Sequence, residues 1–206
     1  VCMLLSIQTA AFAAVNDNGF LDVPADAWYA GAVAYVHDNG LMNGTGADTF
    51  EPQTTTSRAM LATILYRISG SSAGAVSANF SDVAADAYYK DAVDWAAANN
   101  IVSGYGNGRF GSNDPVTREQ IAAILWRYAG RPAAGAGQDF SDETAIAAYA
   151  ADAVDWARAN GIVNGKDGNR FDPQCNATRA EVAAILRNYM TMDAVEVPDN
   201  SASGGK

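Results

Sequence analysis

Phe110-Gly-Ser-Asn-Asp-Pro-Val-Thr-Arg-Glu-Gln-Ile-Ala-Ala-Ile-Leu-Trp-Arg-Tyr128 occurs in this chain in three versions. It stands 60 residues upstream as Phe50-Glu-Pro-Gln-Thr-Thr-Thr-Ser-Arg-Ala-Met-Leu-Ala-Thr-Ile-Leu-Tyr-Arg-Ile68, and 61 residues downstream as Phe171-Asp-Pro-Gln-Cys-Asn-Ala-Thr-Arg-Ala-Glu-Val-Ala-Ala-Ile-Leu-Arg-Asn-Tyr189. Outward from these segments, further landmarks fall into the same register: Phe20, Phe80 and Phe140; Asp22, Asp82 and Asp142; Gly44, Gly104 and Gly165. The third copy carries one extra residue, between Phe140 and Tyr149. A period this regular marks one supersecondary unit used three times, and a unit this small buries little alone, so the copies must pack on one another.

Each copy reads as helix, loop, helix. In the second, Tyr88, Ala92, Trp95 and Ala96 recur at i, i+4, i+7 and i+8, which predicts a first helix over about 87–99. It closes at Asn99-Asn100, as its counterparts close at Asn39-Gly40 and Asn160-Gly161, where Asn and Gly tolerate the left-handed backbone that ends helices. The apolar Leu41, Ile101 or Ile162 that follows suits the contact accompanying such a cap. A turn-rich loop runs from Gly44, Gly104 or Gly165 to Phe50, Phe110 or Phe171, rings placed to pin it to the core. The second helix opens at Ser57, Thr117 or Thr178 and shows Ile121, Ile124, Leu125 and Tyr128 on one face. Thr117-Arg-Glu-Gln120 and Thr178-Arg-Ala-Glu181 fit the capping box, whereas Ser57-Arg-Ala-Met60 keeps the cap and loses the return bond. Arg131-Pro132 stops the second copy's helix. The fold class is all-α.

The chain has 206 residues, of which 49% are hydrophobic, and a net charge of −10. That charge argues against nonspecific binding to nucleic acid or to an anionic membrane surface, so an anionic ligand must be held locally. Residues 1–14 read as the remnant of a signal peptide, an apolar run closing on Ala11-Phe12-Ala13 and too short to span a bilayer; a buried N-terminal helix is the alternative. No initiator Met precedes it, so the start reads as truncated. The repeats then occupy 16–78, 79–138 and 139–192, and 193–206 reads as a polar tail or linker. With Cys2 in the signal, Cys175 has no intrachain partner, and the single histidine, His37, lies in another copy, which leaves no Cys/His nucleophile.

One residue is out of place. Arg58, Arg118 and Arg179 each stand in the first turn of a helix, whose positive dipole end disfavours a cation. Two readings stand side by side: an ion pair with an acidic neighbour such as Asp22, Asp82 or Asp142, or an anion site in which the guanidinium joins free N-terminal amides.

The ordered set Phe-x-Asp-Val, Trp/Tyr-Tyr, Ala-Val, Gly-Leu/Ile-x-x-Gly, Phe-x-Pro and Thr-Arg-Ala-Glu resembles the S-layer homology domain, in three tandem copies covering about Asn16 to Met192. The resemblance implies a pseudo-threefold assembly with the first helices in a central three-helix bundle and ligand grooves between copies. It also implies noncovalent anchoring of a secreted protein to the bacterial cell wall through a secondary cell-wall polysaccharide, often by a pyruvate ketal on its terminal sugar. Carried over by position, Arg58, Arg118 and Arg179 would contact the carboxylate. Gly44, Gly104 and Gly165 would let sugar approach the backbone or simply serve turn geometry. Trp28, Tyr88 and Tyr149 would stack on sugar, or else fill a core or inter-repeat role. Asp22, Asp82 and Asp142 fit caps or arginine partners better than sugar ligands. Met60 in place of glutamate, Ser112 in place of proline (Phe110-Gly-Ser) and Glu143 in place of valine make the three grooves unequal.

An enzymatic role finds little support. The pairs Asp91/Asp94 and Asp152/Asp155 recur between copies one helical turn apart, as a solvated face would. Asp167, Asn169 and Asp172 lack the spacing of an EF-hand loop, and no metal or other cofactor is expected. The rival readings are a protein-binding or self-assembling surface module and direct binding of peptidoglycan. Arg118→Ala and Arg179→Ala are expected to weaken wall binding while leaving the fold intact.

Overall fold

The structure, a computed structural model, describes residues 19–72, 77–135 and 139–192; the segments read from sequence as a signal-peptide remnant and as a polar tail or linker lie outside them. Six α-helices follow in order: α1 (Ala30–Asp38), α2 (Arg58–Ile68), α3 (Lys90–Ala98), α4 (Arg118–Tyr128), α5 (Ala151–Ala159) and α6 (Arg179–Thr191). The first helices are shorter than the sequence predicts. Tyr88 lies before α3 and is exposed, and the face that packs is Ala92, Val93 and Ala96. Their ends are as expected: Gly40, Asn100 and Gly161 take φ of 66°, 55° and 66°. The next N–H reaches back five residues, from Leu41 to the Val36 carbonyl, Ile101 to Ala96 and Ile162 to Ala157. In α4 the helix has already closed before Pro132, through left-handed Gly130 and Arg131.

Close helix pairing runs between copies. α2 packs on α3, α4 on α5, and α6 returns to α1. Each first helix therefore lies on the second helix of the preceding copy, and the small faces of Ala30, Ala32, Ala92, Ala96, Ala153 and Ala157 permit the close approach. The bundle expected of the first helices is thereby drawn out into three helix pairs around one pseudo-threefold axis. What meets at that axis is the segment leading into each second helix. Thr56 N–H donates to the Ala177 carbonyl, Ala177 to Val116, and Val116 to Thr56, at 3.0, 2.9 and 2.9 Å, closing a cycle of three hydrogen bonds. All three residues are fully buried, and the Thr56 hydroxyl finds no partner there.

All three second helices carry a capping box. Gln120 and Glu181 return to the Thr117 and Thr178 N–H groups. In the first copy, where no return bond is expected, the Met60 sulfur takes that place, 3.5 Å from the Ser57 N–H. The inserted residue of the third copy forms a 3-10 turn over Glu143–Ala145. The turn leaves Glu143 exposed where Val23 and Val83 are buried, and Ile146 packs against the core instead. One acidic pair departs from the solvated-face reading. Asp94 is buried, bonded to Lys90 and accepting from the Ala78 N–H, so it clasps the segment that joins copies one and two.

Candidate functional site

The three out-of-place arginines are buried and link copies. Arg58 donates from Nε to the Phe110 carbonyl (3.0 Å) and from Nη2 to the Ser103 carbonyl (2.9 Å). Arg118 does the same with Phe171 and Asn164, and Arg179 with Phe50 and Asn43. Each guanidinium also lies over the phenylalanine ring whose carbonyl it holds, at 4.9, 5.1 and 4.4 Å from the centroid. A cation at a helix N-terminus is tolerated because the side chain leaves that helix and meets the negative ends of peptide dipoles in the next copy. Burial holds the pKa of Arg118 and Arg179 below the ordinary arginine value.

Neither reading of these arginines survives unchanged. The helix amides are not free: the first two N–H groups of α2 bond the carbonyls of Asp114 and Ser112, those of α4 bond Cys175 and Pro173, and those of α6 bond Thr54 and Pro52. Nor do the aspartates pair with the arginines. Asp22 accepts from the Phe50 and Glu51 N–H groups, Asp82 from Phe110 and Gly111, and Asp142 from Phe171 and Asp172. Partial burial opposes the charged form of Asp82 and Asp142, but the two N–H donors prevail and hold both carboxyls below the usual range. Aspartate and arginine thus meet at one phenylalanine residue, the first accepting from its N–H and the second donating to its carbonyl.

Around each such unit lies a groove, and every groove draws on all three copies. The first groove is formed by the Leu41–Thr45 loop and α2, with Arg179 from the third copy and Tyr88 from the second. The second is formed by residues 102–105 and α4, with Arg58 from the first copy and Tyr149 from the third. The third is formed by the loop around Gly165 and α6, with Arg118 from the second copy and Trp28 from the first. Their volumes are about 330, 270 and 680 Å³.

The structure brings the expected residue sets together unevenly. Trp28 and Tyr88 are 68% and 72% exposed, so they are groove walls and not core. Tyr149 is both groove wall and inter-repeat contact: its hydroxyl donates to buried Glu119 at 3.1 Å, and burial followed by that carboxylate pushes its pKa up to about 12. Gly44 and Gly104 line their grooves, but what requires glycine is close approach, since a Cβ would strike the Phe20 or Phe80 ring and the loop's own carbonyls. Gly165 is crowded by Asn169 instead. Asp22, Asp82 and Asp142 stand behind the loops.

Sequence reasoning missed a second layer of residues. The side chain returning the capping bond also lines each groove, as Met60, Gln120 or Glu181, and a residue near the end of each second helix, Arg67, Arg127 or Asn188, lines it further along. The repeat register already aligned these sets; their differences were the readable signal. Glu181 is the decisive one. Its carboxylate accepts from Lys166 Nζ at 2.7 Å, Arg118 Nη1 at 3.3 Å and the Thr178 N–H at 2.9 Å. Burial would raise its pKa, but Lys166, the Thr178 N–H and Arg118 together lower it.

The family profile of the S-layer homology domain matches residues 19–60, 79–122 and 139–183. An amylopullulanase of Thermoanaerobacterium thermosulfurigenes is 33% identical over 87% of this chain, and a surface-layer 125 kDa protein of Lysinibacillus sphaericus is 31% identical over 82%. An endoglucanase of Bacillus sp. (strain KSM-635) is 29% identical over 85%. The chain spans only 10%, 14% and 19% of the length of these relatives.

Proposed function

We propose that this chain, which belongs to the S-layer homology domain family, anchors a surface protein noncovalently to the bacterial cell wall by holding a secondary cell-wall polysaccharide in its three grooves. The ligand group we assign to the grooves is the carboxylate of a pyruvate ketal. The observation that carries this reading is the make-up of the grooves: each sets a guanidinium beside an exposed aromatic ring, a pairing that suits an acidic group on a sugar. The chain's net charge of −10 would otherwise repel such a polymer. The relatives support attachment as the shared role. An amylopullulanase, an endoglucanase and a surface-layer protein contain this segment as a small part of their length, so neither one substrate nor one reaction is common to them. On this reading the segment performs no catalytic step, its place is the cell surface, and no helix among the described residues is long and apolar enough to cross a membrane.

Co-sedimentation with purified sacculi, before and after mild acid extraction of the secondary polymer, tests the assignment. Binding that disappears on extraction is the expected result, and chemical removal of pyruvate should abolish it too. Retention on extracted sacculi would make peptidoglycan the ligand; no sedimentation with either would transfer the function to a protein partner or to self-assembly.

A further inference from the structure

The three grooves differ in how the residue near the end of each second helix is employed. In the first, Arg67 Nη1 donates to the Leu41 carbonyl at 3.2 Å; in the third, Asn188 does the same to Ile162 at 3.2 Å. Their counterpart in the second groove, Arg127, makes no side-chain hydrogen bond or ion pair among the described residues, although it is half-buried. Burial, then the like charges of Arg131 and Arg58, lower its pKa, so the groove holds guanidinium groups that repel one another. No carboxylate lines that groove, and the capping residue there is neutral Gln120. Arg58 has a second aromatic neighbour, its carbon lying 4.9 Å from both the Phe110 and the Tyr105 ring centroids. With Nε and Nη2 bonded to carbonyls, Nη1 is the donor left for a ligand. Half-exposed Tyr105 and Tyr149 both line the groove.

We propose that the second groove is the chain's tightest site for an acidic sugar, the carboxylate lying between Arg127 and the Nη1 edge of Arg58 and the sugar ring resting on Tyr105 and Tyr149. Arg127 is its specificity-determining residue: an uncompensated guanidinium gains a charge-assisted partner without breaking an internal bond. The third groove takes such a group poorly, because Glu181 already occupies the donors of Arg118 and Lys166. This assignment rests on the polysaccharide reading above.

The test is calorimetric titration of the full 206-residue chain with a methyl N-acetylhexosaminide bearing a pyruvate ketal, alongside the ketal-free glycoside, with the arginine Nε–Hε resonances followed in parallel. Arg127→Gln should weaken the tightest site about tenfold or more with an unchanged melting temperature, Arg127→Lys should fall between, and Arg67→Gln, in the first groove, should cost the tightest site less than either. The Arg127 and Arg58 resonances should shift first. Full affinity in Arg127→Gln, or an equal loss in Arg67→Gln, would overturn the assignment while leaving the polysaccharide reading intact. Equal binding of the two glycosides would remove the carboxylate from the groove but keep a sugar there. A chain that binds neither glycoside would sink both readings.

Discussion

The second and third grooves share one backbone frame and differ in chemistry through a few side chains. In both, an arginine from the preceding copy holds the loop's phenylalanine carbonyl, and an aromatic residue from the following copy forms a wall. Yet the position that returns the capping bond is Gln120 in one and Glu181 in the other, and the loop side chain is Tyr105 in one and Lys166 in the other. Either side chain closes the capping box, because the helix asks only for an acceptor. The groove, by contrast, registers the charge. A repeat can thus diversify its ligand chemistry at positions where the frame needs geometry alone.

Arg118→Ala should produce the largest change. Its side chain serves two carbonyls and Glu181 from a buried position, so we expect a loss of about 3 kcal/mol in chemical denaturation, against the intact fold that the sequence reading foresees. A variant as stable as the wild type would show that the frame does not depend on the arginines. Next comes Gly111→Ala; its counterparts Glu51 and Asp172 also take positive φ, but only Gly111 faces the Tyr105 ring. Gly111 has φ +79° and a Cβ there would collide with the Tyr105 ring, so about 2 kcal/mol should be lost. In a Tyr105→Thr background, with the first copy's residue at that position, only the part due to backbone strain should persist. Equal cost in both backgrounds would separate the glycine from the tyrosine.

Glu181→Gln sharpens the comparison directly. It keeps the capping acceptor, as Gln120 does, and frees Arg118 and Lys166, so the third groove should gain affinity for the ketalled glycoside at a stability cost of about 1 kcal/mol at neutral pH. The pH dependence fixes the sign. Because the folded pKa of Glu181 lies below its ordinary value, its stabilisation is fully present above that ordinary value and is lost as the pH falls through the folded one. The variant should therefore show a shallower acid limb in its melting temperature than the wild type, and identical limbs would refute the ion-pair network. The smallest effect is expected at the axis. Thr56→Val, matching Val116, removes an unpartnered buried hydroxyl and should stabilise by about 1 kcal/mol while leaving all three grooves unchanged in titration.

Much of the frame was legible because it is written in local rules. Cap residues, left-handed Asn and Gly, and the 3.6-residue period of Ile121, Ile124 and Leu125 act within a few residues of chain, and they are where the helices begin, end and face the core. Legibility failed where a residue's role depends on distant partners. Asp94 reads as solvent-facing by its spacing, but it is buried by a linking segment 16 residues away in sequence. Tyr88 reads as helical core because it falls on the apolar period, yet the helix starts two residues later and leaves it in a groove. The arginines were singled out correctly as anomalous, but their explanation, a carbonyl pair in the next copy, lies 45 to 136 residues away.

By itself, then, the sequence determined the repeat, its all-α class, the helix caps and the fact that the three copies could not be equivalent, since each of these follows from spacing and side-chain type along one stretch of chain. Only the tertiary structure decided that each groove is shared by all three copies, that the first two helix amides are already taken, and that Arg127 has no hydrogen-bond or ion-pair partner among the described residues while Arg118 pairs with Glu181. Those outcomes depend on which donors and acceptors become neighbours when the ring closes, and closure joins residues that no local pattern relates.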